Sequence, residues 1–210
     1  MPSGWLSICV RLSNANLLRI EHCFDCLRHE ACAFTSGMTL FERVREDLAA
    51  HREGLLAQGF WALQIYRFGY AREKYSSRII RVPWYVLHRL LNKISEVFLG
   101  ISIGGSARIG RRLNIEHFGN IIIHGGAVIG DDCVIRQGVT IGNRHEKKPF
   151  EAPVLGNGVV VGAGAKILGR VCIGNDVSIG ANAVVIEDVP DFAVVVGIPA
   201  RVVRNNVPKI

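Results

Sequence analysis

From Ile103 to Gly197 the chain repeats itself every six residues, and that period leaves very few folds open to it. An aliphatic side chain returns at Ile103, Ile109, Ile115 and Ile121. The frame then slips by two and continues at Ile123, Ile129, Ile135 and Ile141. After a break it resumes at Leu155, Val161, Ile167, Ile173, Ile179 and Val185. An amphipathic helix has a period of about 3.6 residues and a half-buried strand about two, so neither writes six. A parallel β-helix does, with one short strand and one turn per repeat. The aliphatic then points into a narrow prism. Four residues later comes a small or β-branched residue for the corner: Ala107, Cys133, Val139, Val159, Ala165, Val171, Val177 and Ala183. A glycine usually follows the aliphatic and relieves the turn backbone.

The rest of the chain divides around this core. Residues 38–100 read as a small α-helical region and 101–204 as the β-helix with its C-terminal tail. Thr39-Leu-Phe-Glu42 has the form of a capping box, with Leu40, Phe41, Val44 and Leu48 as the apolar face behind it. Gly54 and Gly59 bracket a connection to a second helix carrying Phe60, Leu63, Tyr66 and Tyr70 at helical spacing. Pro83 suits the first turn of a third helix. Its stripe of Trp84, Leu87, Leu91, Ile94 and Phe98 is expected to pack on the β-helix end or another subunit rather than on a membrane. Residues 1–37 fit none of this and read as an N-terminal extension without a fold of its own, Met38 opening the folded part.

Composition excludes several classes of function. The 210 residues carry a net charge of +7 with no dense Lys/Arg block, so nucleic acid is not an expected partner. No apolar run approaches the roughly 20 residues of a membrane span. The N-terminus lacks a basic flank followed by an apolar leader core, so the expected location is the cytoplasm. Cys9, Cys23, Cys26 and Cys32 precede residue 37, while Cys133 and Cys172 lie within the repeat. The lone Cys23/Cys26 pair, with His22 and His29 beside it, lacks a second pair to complete a tetrahedral site, so no metal is expected.

Three motifs narrow the reading. Gly59-Phe-Trp-Ala-Leu-Gln-Ile-Tyr-Arg67 resembles the signature helix of the serine O-acetyltransferases, within the left-handed β-helix (hexapeptide-repeat) acyltransferases. Leu113-Asn-Ile-Glu-His-Phe-Gly119 is similar to that family's catalytic segment, and Val161-Gly-Ala-Gly-Ala-Lys-Ile-Leu-Gly169 to its coenzyme A segment. Arg45-Glu46-Asp47 resembles a further family step, and Gly197-Ile-Pro-Ala-Arg201 the tail that closes the helix. The resemblance implies an acetyl-CoA-dependent O-acetyltransferase working as a homotrimer on a small hydroxyl acceptor, L-serine first, for cysteine biosynthesis. A sugar or polysaccharide precursor is the alternative acceptor, and a non-catalytic scaffold the alternative from another class.

The resemblance also assigns roles. His117 is the general base: a hydroxyl is a weak nucleophile at neutral pH, and imidazole can take its proton and return it. Glu116 and Asp47 stand where carboxylates meet the substrate amine. Gly162, Ala163 and Ala165 supply turn amides to coenzyme A, with Lys166 facing its phosphates. Two positions depart from the pattern. Ser102 stands where the family has the aspartate that orients the imidazole, which implies a weaker base or another orienter. Glu151-Ala152 replaces an arginine–histidine pair that binds the substrate carboxylate, which leaves Arg144 and His145, earlier in the same loop, as substitutes.

Overall fold

The computed structural model describes residues 39–71, 77–147 and 151–205. The cysteines and histidines discussed above for residues 1–37 lie outside the described residues, as does Met38. The first described element is α1 (Leu40–Ala50), and its capping box forms as the sequence predicts. The Glu42 amide donates to Thr39 Oγ1 at 3.3 Å, and the Thr39 amide donates to Glu42 Oε2 at 2.8 Å. Phe41 departs from the predicted apolar face and is 76% exposed.

A 3-10 turn (Gly54–Leu56) leads into α2 (Gln58–Ala71), which buries Phe60, Leu63 and Tyr66. This helix seats directly on the β-helix. A Cβ at Gly59 would fall 2.5 Å from Ile115 Cβ, so only glycine lets the backbones meet. Tyr66 donates its hydroxyl to Ala107 O at 2.6 Å, tying the helix to a corner of the first coil.

The third helix, α3 (Arg78–Ile94), begins earlier than Pro83 suggests, with Ser77 at its N-cap and Pro83 inside it. Trp84 stacks on Phe68 with centroids 4.7 Å apart and donates its indole N–H to Phe68 O at 2.9 Å. Packing of the stripe within the chain stops there and at half-buried Leu91, while Leu87, Ile94 and Phe98 are exposed. A π-helical turn (Ser95–Leu99) and left-handed Gly100 then turn the chain into the first strand.

Fourteen short strands wind into three parallel sheets, and a fifteenth strand closes the end. They are β1 (Ile101–Ile103), β2 (Arg108–Ile109), β3 (Asn114–Glu116), β4 (Ile121–Ile123), β5 (Val128–Ile129), β6 (Val134–Arg136), β7 (Thr140–Gly142), β8 (Val154–Leu155), β9 (Val160–Val161), β10 (Lys166–Leu168), β11 (Cys172–Ile173), β12 (Ser178–Ile179), β13 (Val184–Val185), β14 (Ala193–Val196) and β15 (Arg201–Asn205). The first face stacks β1-β4-β7-β10-β13, the second β2-β5-β8-β11 and the third β3-β6-β9-β12-β14, with β15 antiparallel on β14. This is the parallel β-helix that the six-residue period predicts, in about five coils. Every corner residue named above is buried, as are the aliphatics of the repeat, so the period is the spacing of one continuous core.

The register shows where the repeat departs from six. Ile103 stacks on Ile123, but Ile123 stacks on Ile141, so the first coil holds two residues more than the second. The surplus lies in the corner between β3 and β4, residues 117–120. The longer break leaves β7 and returns at β8, in the loop from Asn143 to Pro153.

Candidate active site

His117 occupies that lengthened corner. Ile115 of β3 points into the prism, so Glu116 faces outward and His117 begins the turn, exposed to solvent. Its backbone lies at φ +64°, a left-handed region uncommon for non-glycine residues but one that histidine, like Asn and Asp, enters more readily than most. Most of the other left-handed residues of the coils are Asn, Asp or Gly at the recurrent tight turns. The corner is pinned from both sides: Gly138 N–H donates to Gly119 O at 3.0 Å, and Ile121 N–H donates to Gly100 O at 3.0 Å.

Glu116 is partly exposed and accepts from Arg136 Nε at 2.9 Å, one coil further on. Asp47 lies in a different setting. It is 1% exposed, and both its oxygens are engaged: Oδ2 by Arg67 Nε at 2.8 Å and Gln64 Nε2 at 3.1 Å, Oδ1 by Arg67 Nη2 at 3.1 Å. Arg67 also donates to Gly110 O at 2.8 Å and Ile109 O at 3.3 Å. Asp47 and Arg67 thus clamp α1 and α2 to the first coil. His51 strengthens the clamp, its Nε2 accepting from Ile115 N–H at 3.3 Å.

Ser102, on the outer face of β1, donates its hydroxyl to Glu96 Oε1 at 2.9 Å. Glu96 in turn accepts from Lys93 Nζ at 2.9 Å. The Lys93 and Ser102 hydrogen bonds, in that order, hold the Glu96 carboxyl below the usual carboxylate range. Sequence reasoning passes over Glu96, because its only sequence mark is an acid at the end of a helix.

In the Asn143–Pro153 loop, Arg144 and His145 are exposed, and Asn143 Nδ2 donates to His145 O at 3.1 Å. Arg144 lies over Gly169, where an added Cβ would come within 3.3 Å of Arg144 Cβ. Ala152 is 5% exposed. His124 is used locally, its Nδ1 accepting from Gly126 N–H at 3.0 Å.

The Gly162–Lys166 turn serves the fold first. A Cβ at Gly162 would fall 2.6 Å from Ala181 N, so the glycine is a condition of coil stacking. The amides of Gly162, Gly164 and Ala165 donate to Ile179 O, Gln137 O and Gly162 O. Among the described residues, nothing accepts from the Ala163 amide, so it can serve a ligand. Lys166 lies along the outer face of the first sheet, its Nζ donating to Gly138 O at 2.5 Å and Thr140 Oγ1 at 3.1 Å. Among the described residues, no cluster of three metal-ligating side chains forms, and no helix is long and apolar enough to cross a membrane.

An exposed imidazole beside an outward carboxylate on a hexapeptide β-helix is compatible with acyl transfer, and the comparisons supply the class. The bacterial transferase hexapeptide family (six repeats) matches residues 152–187. The serine acetyltransferase of Helicobacter pylori is 42% identical over 169 residues, covering 79% of this chain and 95% of the relative. The soybean serine acetyltransferase complexed with serine superposes with a TM-score of 0.70 at 32% identity, covering 81% of this chain and 72% of that one. A serine acetyltransferase in complex with CoA superposes with a TM-score of 0.68 at 31% identity, covering 84% and 74%. The protein is an acyltransferase. It belongs to the serine acetyltransferase family.

Proposed function

We propose that this chain transfers the acetyl group of acetyl-CoA to the hydroxyl of L-serine, with His117 as general base. The observation that carries the reading is His117 itself: an exposed imidazole on a left-handed backbone, at the one corner of the coils lengthened by two residues. The imidazole accepts the hydroxyl proton as the oxygen attacks the thioester carbonyl. Turn amides stabilise the tetrahedral oxyanion. Collapse breaks the C–S bond, and the imidazolium returns its proton to the departing thiolate. No covalent enzyme intermediate forms.

Glu116 meets the substrate ammonium, and Arg144 and His145 meet its carboxylate. Asp47 acts as the buried anchor that keeps the helices, and hence the His117 corner, in place. Gly162, Ala163 and Ala165 line the coenzyme groove, with the Ala163 amide as its donor, and Lys166 turns toward the phosphates. The His117 corner enters the first sheet while the Arg144 loop leaves it, so the two lie on opposite edges of one face. A groove between neighbouring β-helices brings such edges together, which supports a homotrimer. The relatives' activity is consistent with a cytoplasmic location.

One observation favours a second acceptor class. Buried Ala152 offers no charge to a carboxylate, and a sugar hydroxyl needs none there. The test is thiol release from acetyl-CoA with L-serine and with sugar acceptors, for wild type and His117→Ala, beside calorimetric titration with CoA. Serine-dependent release that vanishes in His117→Ala supports the serine reading. Release with sugars alone transfers the same base to the second reading. Absence of both CoA binding and turnover leaves a scaffold.

A further inference from the structure

The corner that carries His117 stacks directly on the segment that carries Glu96. Residues 95–100 approach β1 as residues 117–120 approach β4, one coil above. Ile121 N–H donates to Gly100 O at 3.0 Å, and a Cβ on Gly100 would meet Gly119 Cα at 3.0 Å. The lower segment is firmly held, Ser95 Oγ donating to Ile101 O at 3.0 Å. From it Glu96 reaches over the outer face of β1, and its Oε1 accepts a hydrogen bond from the Ser102 hydroxyl at 2.9 Å. A serine has one O–H. With that hydrogen committed to Glu96, the Ser102 oxygen presents only lone pairs to its remaining neighbours.

We infer that Glu96 is a positioning residue for the base: its carboxylate fixes the Ser102 hydroxyl so that the serine oxygen accepts an imidazole N–H of His117, leaving the other ring nitrogen free to take the substrate proton. A general base needs a third group that sets its tautomer and supports its charge once protonated. A lone serine does the first only. Glu96–Ser102 does both, because a carboxylate stands behind the hydroxyl. This inference rests on the proposed role of His117.

The charges around the pair are few. Lys93 and Arg89 of α3 face Glu96 and keep it ionised. On the neighbouring coils Glu116 and Arg136 pair with each other. Glu116 is the rival carboxylate, adjacent in sequence to His117 but committed to Arg136.

The experiment compares wild type with Glu96→Gln, Ser102→Ala, Ser102→Asp, the double variant Glu96→Gln/Ser102→Asp, Glu116→Gln and His117→Ala. Turnover of acetyl-CoA with the accepted hydroxyl substrate is followed from pH 5 to 9, with melting temperature as the check on folding. Glu96→Gln is expected to lower kcat about 10- to 100-fold with KM for acetyl-CoA unchanged. A carboxylate near an imidazolium favours its charged form. Removing it therefore moves the acidic limb of the kcat profile to lower pH, by about one unit. Ser102→Ala is expected to do the same, and the double variant to recover both rate and limb, because it places a carboxylate where the serine oxygen stood. Glu116→Gln is expected to change KM for the acceptor and leave the limb in place. Unchanged kcat and limb in Glu96→Gln, with His117→Ala inactive, overturn the inference and leave the base standing. So does a shift that appears in Glu116→Gln instead. Wild-type activity in His117→Ala overturns the base reading itself.

Discussion

Asp47→Asn separates a structural from a substrate-facing carboxylate. The amide keeps the shape of the side chain, so no cavity enters the comparison. What changes is charge: the Arg67 guanidinium, 7% exposed at the side chain, loses the carboxylate that it contacts at 2.8 Å and 3.1 Å. Its remaining acceptors are the neutral carbonyls of Ile109 and Gly110. An uncompensated buried charge costs about 3–5 kcal/mol when one partner of a pair is removed. For a chain of this size that corresponds to a fall in Tm of roughly 10 °C. Arg67→Met in the Asp47→Asn background is expected to restore part of it, because the stranded charge is gone, while two carbonyls lose their donor. Thermal and urea unfolding followed by circular dichroism measure both, and initial rates at 20 °C give kcat and KM for the acceptor. A Tm within 2 °C of wild type, with a KM raised tenfold or more, would refute the clamp and make Asp47 a substrate ligand.

Gly59→Ala places a methyl against the Ile115 backbone, two residues before His117, and is expected to cost about 1–3 kcal/mol and to lower kcat as the helix lifts; an unchanged Tm and rate would show that the contact is slack. Burial pushes the Cys133 thiol up to about 12, and its Sγ donates to Gly156 O at 3.3 Å. Alkylation of Cys133 by iodoacetamide at pH 8 is therefore expected to follow global unfolding, and reaction at the rate of a free thiol would contradict its burial. Hydrogen bonds from Arg111 and Arg112 hold the Glu46 and Asp132 carboxyls below the usual carboxylate range. Depressed folded values contribute stability above the unfolded pKa near 4 and lose it as pH falls through the folded values. Both pairs are partly exposed and screened by solvent, so Glu46→Gln/Asp132→Asn is expected to flatten the loss of stability between about pH 5 and 2 only slightly. Identical urea midpoints for the variant and wild type across that window would show that the pairs contribute nothing.

The β-helix was legible because each six-residue repeat places one aliphatic in the same prism, and no tertiary contact has to override that spacing. The capping box and the apolar positions of α2 were legible for the same reason, as local patterns that agree with the packing. Three readings needed more than local pattern. Pro83 looks like a helix start, but the helix begins after Ser77 and the proline is accommodated within it. Phe41 continues an apolar stripe in sequence, yet no described element covers it. Asp47 read as a substrate ligand by resemblance, and the structure engages both its oxygens within the chain. A signal for that pairing existed: Arg67 follows Phe60, Leu63 and Tyr66 on the buried side of α2, and a buried guanidinium requires an acid. Glu96 had no comparable signal, because its meaning comes only from Ser102, which the fold brings beneath it.

The two departures from the family pattern therefore differ in kind. At Ser102 the missing carboxylate has a physical substitute within hydrogen-bond reach, supplied by the preceding helical turn. If Glu96 positions the base as inferred above, Ser102 is compatible with a working base. At Ala152 the side chain is buried, and Arg144 and His145 of the same loop are exposed to solvent. A carboxylate-bearing acceptor must draw those side chains inward and bear the cost of ordering them, about 0.5–1.5 kcal/mol for each immobilised side chain. The acceptor end of this site should then be weaker for serine than its catalytic end would suggest. A high KM for L-serine beside an ordinary kcat is the kinetic form of that difference, and a low KM would mean that the loop is already ordered by a neighbouring chain.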